Sequence, residues 1–463
     1  MKITLKNLGP LKQAAFEIGG MTIICGPNNT GKTYATYATY GFFDFIRSPF
    51  FPFPVDDNII KQLLIEGSIA VNLERYTDNL QKQINKAAKQ YSTILSKVFA
   101  GNEKLFVDTA YSIEINNKSH YEVLERRKIV GTAEKTVLQL KKEKDRKEIV
   151  VSLVVDKSSE DIPPPHFIKE LIGDFIREVI INSVIPRPFI ASAERTGSAI
   201  FQKELDFTRN RLIELLRDKT SKIHPFQLLD KFSGKYPIPV QKNVDFIRAI
   251  PNIVNEESFI LKHHPHVLNA FKDIIGGEYR VTKDGEIQYV VGKNKSVKLS
   301  LVESSSAVRS LLNVGFYLRN VAQPGDLFFI DEPELNLHPE NQRRITRLFA
   351  RMVNLGIKVF MTTHSDYIIK ELNTLIMLNH DKPHLKRIRE NEGYEPEELL
   401  SSDKVKVYIA EEALVMLPGR KKRTRSLTLV PADIDPEMGI EARSFDKTIE
   451  EMNRIQEEIV WGG

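Results

Sequence analysis

The sequence of 463 residues has one cysteine, Cys25, so no intrachain disulfide can staple it and a packed core must hold it together. That thiol sits in an apolar run and reads as a small buried hydrophobe rather than a reactive group. No apolar stretch of about 18 residues occurs, which excludes a membrane-spanning helix. The opening residues MKITLKNLGP enter a strand-like alternation with no charged-then-apolar leader, and the expectation is a soluble, cytoplasmic protein without membrane contact. An excess of one charge is missing too. Lys and Arg number 66 against 61 Asp and Glu, a net +5, which permits nucleic-acid contact without requiring it. There is no repeat of fixed period and no long low-complexity tract. The helical pattern from about Asn58 to Val98, with Leu63, Leu64, Ile69, Leu73, Leu80, Ile84 and Ile94 among many Lys and Gln, keeps no sustained heptad register, which counts against a coiled-coil arm there.

What is there begins with 41% hydrophobic residues, enough for one large α/β core with insertions or for two to three domains. Gly26-Pro27-Asn28-Asn29-Thr30-Gly31-Lys32-Thr33 follows the apolar run Met21 to Cys25 and opens a helical stretch. A strand, a glycine-bounded loop and a helix in that order form a phosphate cradle. Glycines let successive N–H groups turn inward, and the helix N-terminus adds partial positive charge. Lys32 then reaches the β- and γ-phosphates of ATP, and the Thr33 hydroxyl takes one position on Mg²⁺.

A second apolar strand, Leu327 to Ile330, ends in Asp331-Glu332-Pro333. Parallel strands deliver their C-terminal residues to the ligand crevice, which brings both acids to the phosphate loop. Asp331 is placed to hold Mg²⁺ directly or through water, and Glu332 to polarise the attacking water. A third run, Ile357 to Thr363, ends at His364, where the ring can meet the γ-phosphate or Glu332. Ser304-Ser305-Ser306 opens a helix, and the hydroxyls and free N–H groups make an anion site that a plain N-cap leaves partly unexplained. The strand ending in Glu194-Arg195 suits either the rim of the site or a structural ion pair.

GPNNTGKT, ESSSAVRSLL, IDEPELNLHP and TTHSD together resemble the ABC-type branch of the P-loop ATPases, and within it the ATPases of the overcoming-lysogenization and prokaryotic defence group. The resemblance covers residues up to about 48, those near 186 to 195, and those from about 279 to 380. It implies an α/β fold with a mixed central sheet, an antiparallel β subdomain and helical insertions. It also implies a homo-oligomer with composite ATP sites, in which Ser304, Ser305 and Ser306 of one copy face the γ-phosphate held by another and His364 is the switch histidine. The signature lacks the glycines of transporter ATPases.

The expected organisation splits the nucleotide core between residues 1–48, with the phosphate loop, and 279–380, with the signature, the acid pair and the switch histidine. Residues 49–104 form a helical insertion, 105–200 a β subdomain and core strand, 201–278 a second helical insertion, and 381–463 a C-terminal extension for oligomer or partner contact. Nucleases of the group carry a TOPRIM domain after the switch histidine. Here Glu411-Glu412 lacks the following glycine, and the segment bearing Asp433 and Asp435 is short for such a domain. The resemblance therefore implies a separate effector, a TOPRIM-type nuclease held inactive and released when a phage-encoded trigger protein is sensed, as in two-gene anti-phage systems of the PARIS and Septu kinds. A DNA-repair or DNA-clamp ATPase and a transporter ATP-binding subunit stay open as alternatives. The basic run Gly419 to Arg425 is either a DNA or acidic-partner contact or an exposed hairpin tip, and Trp461, after the Phe445 to Ile459 helix, is a candidate docking residue.

Overall fold

Met21–Cys25 is buried along its whole length because it has a neighbour on each side. The central sheet runs Thr424–Pro431, Val405–Val415, Met21–Cys25, Lys358–Thr363, Leu327–Asp331, Pro188–Ala191. All its pairings are parallel except that between Val405–Val415 and Thr424–Pro431, so the sheet is mixed. Apolar runs of four to six residues are what buried parallel strands require, and Met21–Cys25, Lys358–Thr363, Leu327–Asp331 and Pro188–Ala191 are read as strands from the sequence.

This computed structural model describes residues 1–48, 53–115, 124–129, 136–144, 146–154, 162–200, 236–292, 296–416, 422–440 and 443–461. Most of the Pro49 to Pro54 aromatic and proline cluster, residues 201–235 of the second helical insertion, and 419–421 of the basic run lie outside them. The chain forms two units. One, comprising residues 4–40, 94–110 and 188–463, holds the central sheet. It also holds the helices Ile238–Ile253, Phe259–His263 and Pro265–Ile275, and an antiparallel sheet of Gly277–Val281, Ile287–Val291 and Lys298–Ser300. The Asp284-Gly285 hairpin falls where the sequence puts it, with Gly285 at φ +80°. Its core joins Ile23, Val359, Phe328 and Ile330 of the sheet to Leu311, Leu312, Ile345, Phe349 and Leu372 of the flanking helices.

The other unit, residues 1–3, 41–93 and 111–187, is built on an antiparallel sheet ordered Ser68–Asn72, Glu148–Leu153, Thr136–Lys142, Leu124–Ile129. Helix Pro165–Val184 turns Ile168, Ile172, Phe175 and Ile176 into its core.

Two expectations are corrected here. The region from Asn58 to Val98 is not helical throughout. Gly67, at φ +83°, caps Asp57–Glu66 and frees Ser68–Asn72 to pair with Glu148–Leu153. Ile69 and Leu73, which read as one helical stripe, belong to a strand and the turn after it. Residues 405–431, expected within a C-terminal extension, instead supply two strands of the central sheet. Trp461 ends helix Arg443–Trp461 and is 83% exposed. Among the described residues no helix is long and apolar enough to cross a membrane.

Candidate nucleotide site

The loop after Met21–Cys25 takes its shape from three left-handed residues, Gly26 (φ +133°), Asn29 (φ +62°) and Gly31 (φ +93°). At Gly26 a side chain is also sterically barred, since a Cβ would lie 2.7 Å from the Ala410 carbonyl oxygen of the adjoining strand. Lys32 opens the helix Lys32–Arg47. Its Nζ donates to the carbonyl oxygens of Gly26 at 3.0 Å and Pro27 at 2.6 Å, so the ammonium lies inside the curl of the loop. Burial pulls its pKa below the usual lysine value, against the opposing pull of Glu332 and Asp331.

Sheet register brings the other motifs alongside. Thr362 pairs with Ile24 on one side and Asp331 on the other, so Asp331 and His364 emerge at the level of the loop. Asp331 is fully buried. Desolvation pushes its carboxyl up to about 6, with the Thr362 and Thr33 hydroxyls favouring the charged form. Thr362 donates to Oδ1, while Oδ2 is sealed from solvent and makes no hydrogen bond of its own. A buried carboxylate oxygen left over beside a hydroxyl fits a hydrated Mg²⁺, which takes one or two protein oxygens and fills its other positions with water and phosphate. The residues that would hold it are Thr33 and Asp331. Among the described residues no cluster of three or more His, Cys, Asp or Glu forms a cage for a metal.

Glu332 adopts φ +49°, a conformation that a non-glycine residue holds only when its surroundings fix it. Its N–H lies 3.2 Å from both the carbonyl and the hydroxyl oxygen of Thr362. Its carbonyl accepts from Arg195 at 2.8 Å, and its Oε1 lies 2.8 Å from His364 Nε2. Of the two contacts open to His364 from the sequence, the structure has the one to Glu332.

Two residues here were passed over or left undecided by sequence reasoning. Glu334 lies within the quoted IDEPELNLHP stretch; its Oε1 accepts the His364 main-chain N–H at 2.6 Å and the Thr363 hydroxyl at 2.9 Å. Burial raises its pKa. Arg195 is 1% exposed and donates to four main-chain carbonyls, those of Ser192, Ser310, Asp331 and Glu332. It is a backbone clamp. Its neighbour Glu194 accepts the Tyr37 hydroxyl at 2.7 Å. Proximity to the motifs was the available signal for both.

Pro10, the loop residues from Asn28 to Tyr34, Glu332 and His364 line a cleft of about 550 Å³. A family model described as AAA ATPase domain matches residues 1–369. The chain belongs to the AAA ATPase domain family. It is an ATPase, and its phosphate loop lines this cleft. No curated protein matches the chain. Solved structures similar to it include the SMC head domain from Thermotoga maritima, at 12% identity over 94% of this chain and 98% of that one, TM-score 0.29. Another is the SmcHead bound to the C-winged helix domain of ScpA, at 13% identity over 92% and 97%, TM-score 0.32. A third is an Smc head domain with an extended coiled coil, bound to the C-terminal domain of ScpA derived from Pyrococcus furiosus. It is 12% identical over 98% of each chain, TM-score 0.31. At such TM-scores the likeness carries no functional argument.

In this ATPase Ser304, Ser305 and Ser306 are not among the residues that line the cleft. Each serine has a local partner. Ser304 Oγ donates to the Ser300 carbonyl, Ser305 caps Ser306–Ser310 by accepting from Val308 N–H, and Ser306 Oγ accepts from Arg309. The turn's own hydrogen bonds thus engage all three serine oxygens, Ser304 as donor and Ser305 and Ser306 as acceptors. Asp435 accepts the N–H groups of Glu437 and Met438 and so closes a short hairpin. Arg425, of the basic run, pairs with Glu412 at 3.0 Å, both side chains exposed.

Proposed function

We propose that this ATPase hydrolyses Mg²⁺-ATP at sites completed by a second copy, and that nucleotide occupancy controls a separate TOPRIM-type nuclease. The system would be a two-component anti-phage defence of the PARIS kind, with this chain in the place of its AriA subunit. PtuA of Septu is the second choice. A phage-encoded protein would be the trigger and the cytoplasm the setting.

Within that reading Gly26 to Gly31 wrap the phosphates with main-chain N–H groups, and Lys32 exchanges its loop carbonyls for β- and γ-phosphate oxygens. Bound Mg²⁺ supplies charge neutralisation on those oxygens. Glu332 takes the proton of the attacking water, and His364, bonded to the same carboxylate, fixes its direction. Ser304, Ser305 and Ser306 close the site from the neighbouring copy. The observation that carries the reading is the contact of 2.8 Å between Glu332 Oε1 and His364 Nε2 at the wall of a cleft that the phosphate loop lines and the serine turn does not.

The test is a pair of variants. Lys32→Ala should lose ATP binding. Glu332→Gln should bind ATP, hydrolyse it at least about 100-fold more slowly, and accumulate as the ATP-bound oligomer. Wild-type hydrolysis by both variants would end the assignment of these residues. The protein isolated from cells should bring down a small nuclease. Chromosomal DNA in its place would favour the DNA-repair or DNA-clamp alternative, and a permease the transporter one.

A further inference from the structure

Residues 79–99 contain Lys82, Lys86, Lys89 and Lys97 and no acidic residue, in a chain where acids and bases nearly balance. The helix Leu80–Ser92 explains how that bias is arranged. Leu80, Ile84, Ala87, Ala88 and Tyr91 are buried, which leaves Lys82, Lys86 and Lys89 on the solvent side. At 3.6 residues per turn these three fall within about 60° of the helix circumference, in a row about 10 Å long. All three are exposed. None is in ion-pairing contact with a carboxylate among the described residues.

The row forms one wall of an open groove of about 1040 Å³. Arg75 and Tyr76 also line it, and Asp56 is the only acid among the described lining residues. Asp56 sits 3.9 Å from Arg75, so it does not neutralise the lysines. Between the cations lie the amides of Asn79, Gln83, Asn85 and Gln90, which can bond to phosphate and sugar oxygens without reading a base.

We propose that this groove of the inserted unit binds the sugar–phosphate backbone of duplex nucleic acid. The cations form a line rather than converge on a point, which suits a polyanion better than a single phosphate. Duplex DNA carries one charge per about 1.7 Å of axis, so a row of this length faces several phosphates. Among the described lining residues Tyr76 is buried and no other is aromatic. Those residues offer no platform on which unpaired bases could stack, and a backbone-only contact with a duplex fits them better than a single strand. The surface is distinct from the ATP cleft and from the basic run near residue 425. It does not depend on the defence role proposed above.

Fluorescence anisotropy with the full chain and a labelled duplex of about 30 base pairs gives the test. The triple variant Lys82→Gln, Lys86→Gln, Lys89→Gln should weaken binding at least about tenfold at low salt. Three lost phosphate contacts should also flatten the slope of log affinity against log salt by up to about 2.7. Two unrelated sequences should bind alike, a single strand should bind more weakly, and the corresponding Arg triple should retain binding. ATP hydrolysis without nucleic acid should be the same in all three proteins. Unchanged duplex affinity and salt slope in the Gln triple would overturn the proposal. So would a wild-type chain that binds poly-glutamate or an acidic protein here but no duplex.

Discussion

Glu334 holds His364 by its main chain, accepting that residue's N–H at 2.6 Å, while the imidazole of His364 reaches Glu332. The histidine is thus fixed at both ends by carboxylates of one short segment. Replacing Glu334 with Ala leaves the part-buried His364 N–H without its acceptor, a loss worth about 1 kcal/mol. The expected result is a kcat about tenfold or more lower with KM for ATP nearly unchanged. Steady-state kinetics with the active sites counted by ATP-binding stoichiometry separate this from general unfolding, which would lower the active fraction and leave the kcat per active site alone.

Arg195 is the second such support. Arg195→Met removes the guanidinium donor from four carbonyls, of which that of Ser192 keeps the main-chain N–H of residue 195, and should cost several kcal/mol, enough to lower Tm markedly. Arg195→Lys keeps the charge, but an ammonium cannot serve carbonyls spread over Ser192, Ser310, Asp331 and Glu332. That variant should fold and bind ATP yet turn over about tenfold or more slowly, because Glu332 loses the bond that holds its unusual backbone angle. A folded Lys variant with wild-type turnover would separate the clamp from the acid pair.

Asp331 sets a pH dependence. Its carboxyl is raised from 3.8 to about 6, chiefly by burial, so the folded protein holds that proton more tightly than the unfolded chain does. Its contribution to stability is therefore greatest at low pH and is lost as pH rises from about 4 to about 6. Metal ligation needs the ionised form. ATP affinity measured with Mg²⁺ should fall as pH drops through about 6, whereas affinity in EDTA should show no such step. Asp331→Asn should remove the difference between the two curves.

Gly26→Ala should be among the most damaging single-methyl changes in the protein. The new Cβ would meet a backbone oxygen at 2.7 Å, at a φ of +133° that L-residues rarely adopt. Loss of ATP binding and a lower Tm are expected. Gly197 is the control, for it lies in helix Arg195–Ile200 with nothing within 4 Å of its would-be Cβ. Ala there should be neutral or stabilise by about 0.5–1 kcal/mol.

The strands Met21–Cys25, Leu327–Asp331 and Lys358–Thr363 were legible because a strand covered on both faces must be apolar throughout, and the polar residues that end each run mark the edge of the crevice. Lys32, Glu332 and His364 could be named for the same reason. Val405–Val415 was less legible. Its first half is buried while Glu411 and Glu412 are exposed, so one strand carries two environments and shows no clean period. Arg195 could be noticed but not understood, since its partners are carbonyls and every residue type has one. Ser68–Asn72 was hidden because its pairing with Glu148–Leu153 is non-local, and local spacing cannot report a partner some 80 residues away.

The order of strands in the central sheet bears on how this chain is made. The strands that flank Met21–Cys25 begin more than 330 and about 380 residues later in the chain. At about 5–20 residues per second the phosphate-loop strand waits roughly 17 to 67 s with both edges unpaired. Until the second flank is made, the nascent protein carries a largely apolar strand with an open hydrogen-bonding edge, the kind of segment that is prone to aggregate.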